Sequence, residues 1–138
     1  MPGSGADPAT AGWTRGDDVG LPETARPLWI RDEVAGRAYG FLARDAHANA
    51  RGAIHGGMLA VFMDHTLGLT VRAATGGLPV ATVQLDLHYL AAGRTGTFVE
   101  GRGEVVRRTR SLVFVRGALT AEGAPVLSAT GLWKIIGA

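Results

Sequence analysis

Asp64 is the only acid in the stretch 53–74, which is otherwise long and apolar enough to be a buried helix. Ile54, Met58, Leu59, Val61, Phe62, Met63, Leu67, Leu69 and Val71 leave it no continuous polar stripe, so most of its sides should be covered. A carboxylate buried there without a partner costs several kcal/mol. Two readings follow: a functional acid in an apolar site, or an ordinary acid paired on an exposed part of the helix. His65, the next residue, either tunes that acid or fills space.

A second cluster lies just upstream. Asn49, Gly52, His55, Gly56 and Gly57 spell N-x-x-G-x-x-H-G-G. Glycine is a poor helix former, and two in a first turn suggest that something must approach the backbone closely. The free N–H groups of a helix start carry partial positive charge and can hold an anion or a developing oxyanion. The alternative is a glycine-tolerant helix start with His55 as a polar cap. Nine residues separate His55 from Asp64, which is about 13.5 Å along a helix and on its opposite face. The two cannot meet within one chain. They can meet when two such helices run antiparallel across a two-fold axis, which predicts a homodimer with two sites, each built from both chains.

Other groups have chemistry but less convergence. Arg107, Arg108 and Arg110 cluster at a hairpin and are either a phosphate-binding group or a charged turn; Arg72 and Arg94 are weaker candidates. Tyr89, at a strand end, lines a pocket or the core. Asp86 and His88 share a strand face, as a pair or as solvated surface. His55, Asp64 and His65 do not share a helix face, so no metal site is expected. None of the serines, Ser4, Ser111 and Ser128, sits in G-x-S-x-G, and there is no cysteine to act as a nucleophile.

The elements that must position these residues follow from pattern. Residues 1–28 are rich in Gly, Pro, Ala and Asp and read as a flexible or irregular lead-in to a single domain over 29–138. Residues 29–43 read as one strand and 44–52 as a loop. Gly76, Gly77 and Pro79 end the helix. Strands over 80–90, 97–108, 111–121 and 125–136 follow, with short connections that imply an antiparallel sheet. In the first of these, Val83, Leu85, Leu87 and Tyr89 alternate with Thr82, Gln84, Asp86 and His88. One helix on such a sheet makes an α+β domain. The helix leaves one side open, which again points to a second subunit.

With 46% hydrophobic and 19% charged residues, the 138-residue chain can bury a core without disulfides. No secretory leader pattern or membrane span is evident, and the lack of cysteine fits a cytoplasmic protein. A formal charge of +2 is too small for a general nucleic-acid binder.

The spaced motif, the later acid and the order of elements together resemble the PaaI-like branch of the hotdog acyl-CoA thioesterases, over residues 34–137. ATVQLDLHYLAAGRTG looks like that family's second strand and turn, and VVRRTRSLVFVRGAL like its third-to-fourth strand hairpin. The resemblance implies a hotdog fold, with a five-stranded antiparallel sheet wrapped around one central helix. It also implies dimers, often paired into tetramers, with sites at the dimer interface. By the same carry-over Asp64 is the catalytic carboxylate, as general base or nucleophile. Gly56 supplies the N–H that polarises the thioester carbonyl, while His55 and Asn49 sit at the same helix start. Thr82 stands where relatives carry a serine or threonine near the acid. Gly57, His65, Tyr89, Arg107, Arg108 and Arg110 are the candidate substrate contacts. The expected reaction is hydrolysis of an acyl-CoA or acyl-carrier thioester, with no cofactor beyond the substrate's own CoA. A hotdog dehydratase or hydratase, and an acyl-CoA binder without turnover, are the alternatives. The latter has no use for a buried acid opposite an oxyanion donor.

Overall fold

The computed structural model describes residues 7–138; the part of the expected flexible tail formed by residues 1–6 lies outside the described residues. The strands are β1 (Thr14–Arg15), β2 (Trp29–Glu33), β3 (Gly36–Leu42), β4 (Val80–Tyr89), β5 (Phe98–Arg108), β6 (Leu112–Ala121) and β7 (Ala124–Ile135). One helix, α1 (Gly56–Ala74), precedes β4. All strands join one antiparallel sheet in the order β1-β2-β3-β5-β6-β7-β4.

The described sheet has seven strands where five are expected, so the strand count is corrected. Residues 29–43 are not one strand but a hairpin that turns at Val34 and Ala35, with Val34 fully exposed at its tip. Two apolar residues in the turn disguise it, because turn signals in sequence are Gly, Pro, Asn and Asp. The seventh strand, β1, is two residues of the lead-in paired with β2.

α1 lies along one face of the sheet, and small residues let it approach. A Cβ on Gly117 would sit 2.5 Å from the Arg102 carbonyl oxygen and 2.7 Å from Leu67 on the helix. Leu59, Phe62, Met63, Leu67 and Val71 fill the space between helix and sheet with Phe41, Val99, Val113, Val115, Leu119, Leu127 and Trp133. Burial of each large side chain contributes about 1.5–3 kcal/mol.

The lead-in is irregular but packed. Trp13, Leu21, Ala25 and Leu28 are buried, and Trp13 meets Phe98 edge-on at 5.0 Å between ring centroids. His47, also buried, pins this segment to the loop before α1. Its Nδ1 accepts from the Arg44 N–H at 2.9 Å, so its Nε2 carries the proton donated to the Thr24 carbonyl at 2.6 Å. On the sheet's outer face Arg102 and Arg31 hold Glu33, and the Arg102 guanidinium first of all keeps that carboxyl down at about 2. Among the described residues no helix is long and apolar enough to cross a membrane.

Candidate active site

α1 begins on a histidine cap. The His55 side chain accepts from the Gly57 N–H through Nδ1 at 2.9 Å, which is the capping role open to it from sequence. Its carbonyl takes the N–H groups of Met58 and Leu59. The first helical N–H, that of Gly56, has no acceptor among the described residues. That leaves one positively polarised donor at the helix start, a kind of group that can polarise a carbonyl. The Gly57 N–H, by contrast, is engaged inside the cap.

Asn49 shapes the approach to this helix start. Its Oδ1 accepts from the N–H groups of Arg51 (2.9 Å) and Ala53 (3.1 Å), so its role in the structure is to fold the 49–53 turn. A pocket of about 390 Å³ opens there. Asn49, Arg51, Gly56, Leu59, Tyr89 and Leu90 are among its lining residues. Most of its lining residues are apolar, and exposed Arg51 is among them. Sequence reasoning passed over Arg51; its position between Asn49 and Gly52 of the motif is the only signal that points to it.

Asp64 sits two turns further along the helix and is partly buried. Its Oδ1 accepts from the Thr82 hydroxyl at 2.7 Å. That contact depends on an irregularity in β4. Simple alternation places Thr82 with Gln84 and Asp86, away from the helix. Instead the register shifts between Thr82 and Gln84, leaving Val83 as an extra, exposed residue. Thr82 then pairs with Trp133, and Leu85, Leu87 and Tyr89 pair with Gly131, Ala129 and Leu127, all on the helix side. A β-bulge of this kind re-aims one side chain.

Gly56 and Asp64 are separated by about 12 Å along the helix axis. Gly56 lies against Tyr89 at one end of β4, and Asp64 against Thr82 near the other. Within one chain they do not meet. Asp64 shares the uncovered strip of α1 with Val61, which is 36% exposed, and β4 forms an open edge of the sheet.

The remaining candidates are dispersed. The Tyr89 hydroxyl donates to the Gly56 carbonyl at 2.6 Å. His65 points away from Thr82 toward the lead-in near Gly20; its Nε2 is buried without a partner, and burial holds its pKa below the ordinary histidine value. The sheet divides the arginine cluster. Arg108 pairs with Val113 on the helix face and donates to the Ala74 carbonyl at 3.2 Å, while Arg107 pairs with Phe114 on the outer face. Arg110 lies in the turn between β5 and β6. Asp86 accepts from Gln84 at 3.0 Å rather than from His88. His88 lines a different concavity, about 530 Å³ on the sheet's outer face, where Arg37, Arg102 and Arg116 are each already paired with a carboxylate.

Comparison with known proteins gives the family and the fold. The sequence model of the thioesterase superfamily matches residues 51–127. Acyl-coenzyme A thioesterase 13 of Homo sapiens is 25% identical over 87 residues, 63% of this chain; the chain spans 62% of that relative's length. A hypothetical thioesterase from Streptococcus pneumoniae, solved with coenzyme A, is 26% identical with a TM-score of 0.73, covering 81% of this chain and 90% of that one. Two alanine variants of the same protein, one at an aspartate and one at a threonine, each match at 25% identity and a TM-score of 0.73, covering 82% of this chain and 93% of that one. A variant of the phenylacetic acid degradation protein PaaI from Thermus thermophilus, 22% identical over 79% of this chain and 93% of that one, shares the fold with a TM-score of 0.71.

Proposed function

We propose that this chain, which belongs to the thioesterase superfamily and has its hotdog fold, hydrolyses the thioester of an acyl-coenzyme A. The observation that carries the reading is the Asp64–Thr82 pair. A carboxylate oriented by one hydroxyl, on the helix face turned away from the sheet, leaves its second oxygen for chemistry. The pneumococcal relative, in which an aspartate and a threonine were each replaced by alanine, supports the same pair of residue types.

In this reading the site is completed across a two-fold axis. The Gly56 N–H of one chain receives the thioester carbonyl oxygen, and Asp64 of the second chain faces the carbonyl carbon. The exposed edge of β4 and the 12 Å scale of the separation along α1, about eight residues at 1.5 Å each, favour two chains over one. Charge developing on the carbonyl oxygen is stabilised by the N–H donor and by the helix start behind it. Asp64 takes a proton from water as the water oxygen bonds to carbon; collapse of the tetrahedral intermediate breaks the C–S bond, and the proton passes to the departing thiolate. In the covalent variant the Asp64 oxygen itself attacks, thiolate leaves, and water then cleaves the mixed anhydride. Thr82 holds Asp64 in line in either route.

Thiol release from a panel of aryl and aliphatic acyl-CoAs and acyl-carrier substrates tests the proposal. Asp64→Ala should lower turnover by about 10²–10⁴-fold with the fold intact. Turnover that survives this substitution sinks the assignment. Label found in the Asp64 carboxylate after a single turnover in ¹⁸O-water would establish the anhydride route, with water attacking the Asp64 carboxyl carbon.

A further inference from the structure

Both glycines of the H-G-G motif make room for a ring. A Cβ on Gly57 would lie 3.1 Å from His55 Nδ1, and a Cβ on Gly56 would lie 3.2 Å from the Tyr89 ring. The two rings address opposite ends of one peptide group. Tyr89 Oη donates to the Gly56 carbonyl oxygen at 2.6 Å, and the N–H of the same peptide, on Gly57, donates to His55 Nδ1 at 2.9 Å. A backbone N–H can only donate, so Nδ1 must be the unprotonated, accepting nitrogen. The ring proton of neutral His55 then lies on Nε2, on the exposed ring of the residue that precedes Gly56, whose own N–H is unengaged among the described residues.

We infer that Tyr89 is a positioning residue that acts through the Gly56–Gly57 peptide to hold His55 as an Nε2–H donor at the same helix start as the Gly56 N–H. A hydrogen bond to a peptide carbonyl polarises that peptide and strengthens the donation made by its N–H. Removing the Tyr89 hydroxyl weakens the Gly57-to-His55 bond, which is what selects the tautomer. The ring then turns and exchanges its proton between nitrogens, and the second donor at the helix start is lost for part of the time. This assigns Tyr89 away from the acyl group. It also makes His55 a hydrogen-bond donor to substrate, leaving Asp64 as the only base.

The inference rests on the proposed hydrolase reading for its kinetic consequence but not for its structural one. Tyr89→Phe keeps the ring packed on Gly56 and removes only the hydroxyl. In ¹⁵N-labelled protein, long-range ¹H–¹⁵N correlations of the His55 ring, assigned with His55→Gln, should show a single Nε2–H tautomer in the native chain and an averaged mixture in Tyr89→Phe. With acyl-CoA, Tyr89→Phe should lower kcat about 5- to 10-fold, the effect of one lost hydrogen bond, and leave KM within about twofold. An unchanged ring signature in Tyr89→Phe overturns the inference, whatever the rate does. A native ring that carries its proton on Nδ1 overturns it as well. Should the native protein turn over no acyl-CoA, the hydrolase reading fails, and the ring spectra still decide the role of Tyr89.

Discussion

At the start of α1, Tyr89, Gly56, Gly57 and His55 close a hydrogen-bonded circuit within one chain. Two turns on, Asp64 has one side-chain partner among the described residues, Thr82, and lies on a strip of helix that they leave partly open. Both corners are made by the same helix against the same strand, yet the first is self-contained and the second is open. The difference is physical. An oxyanion donor has to be rigid before charge develops, because reorganising it would cost part of the stabilisation it offers. A carboxylate that must meet water and a carbonyl carbon needs one fixed oxygen and one free one. In the proposed hydrolysis the closed corner would therefore serve binding and polarisation, and the open corner proton transfer or attack.

The sharpest way to break this division is to disable one corner at a time and then mix the chains. Gly56→Pro removes the single N–H assigned to the carbonyl. Proline is favoured in the first turn of a helix, and His55, at φ −57° and ψ 132°, already has the backbone that a following proline requires. The tight approach of Tyr89 asks only for a small ring shift. Thioesterase kcat should fall about 10²–10³-fold with little change in thermal unfolding. Asp64→Ala is expected to be as inactive on its own. Unfolded together and refolded, the two inactive chains should recover about a quarter of native activity, because half the dimers are mixed and each mixed dimer has one undamaged site. No recovery, from mixtures shown by mass spectrometry to contain the mixed dimer, would mean that each site is built within one chain.

A smaller effect is expected at the open corner. Thr82→Val keeps a β-branched side chain on the strand and removes the hydroxyl that orients Asp64. The lost bond to a charged acceptor should lower kcat about tenfold. Mutating the closed corner's Tyr89 to Phe on top of it should give losses that multiply, since the corners touch different parts of the substrate. Losses that fail to multiply would show that the two corners act as one unit.

How far these corners were legible in the sequence depends on the range of the contacts that make them. The helix, its apolar faces, the lone Asp64 and the capping role of His55 follow from local spacing, and the four later strands follow from alternation. The alternation also misplaced Thr82. It put the residue on the outer face, because a bulge at Val83 changes parity without leaving a glycine or proline to mark it. Only the family resemblance set Thr82 beside the acid. The turn at Val34–Ala35 was hidden for the same reason, being apolar where a turn is usually polar. The lead-in looked loose because its order comes from distant partners: Trp13 against Phe98, and His47 reaching the Thr24 carbonyl. Composition cannot register such contacts. Alternation within the expected strand 97–108 already puts neighbouring Arg107 and Arg108 on opposite faces, which a reading of the arginines as one cluster passes over.

The last and smallest test concerns the two histidines that flank the corners. His55 is exposed at the closed end, whereas His65, next to Asp64, is half buried, and its Nε2 has no partner. Burial lowers the His65 pKa below 6.5; the negative charges of Asp64 and Asp18 act the other way but do not offset it. The fold therefore favours neutral His65, and the unfolded chain binds its proton more readily than the folded one. Stability from this group is fully present above the unfolded value near 6.5 and is lost as pH falls from there through the lower, folded value. Denaturant unfolding followed between about pH 7.5 and pH 5 should show this loss, and His65→Leu, which cannot protonate, should flatten the slope over the same interval. If the slope is unchanged in His65→Leu, the titrating group lies elsewhere. If stability instead rises as pH falls through about 6.5 and His65→Leu abolishes the rise, Asp64 pairs with a charged His65, and the open corner has a second partner.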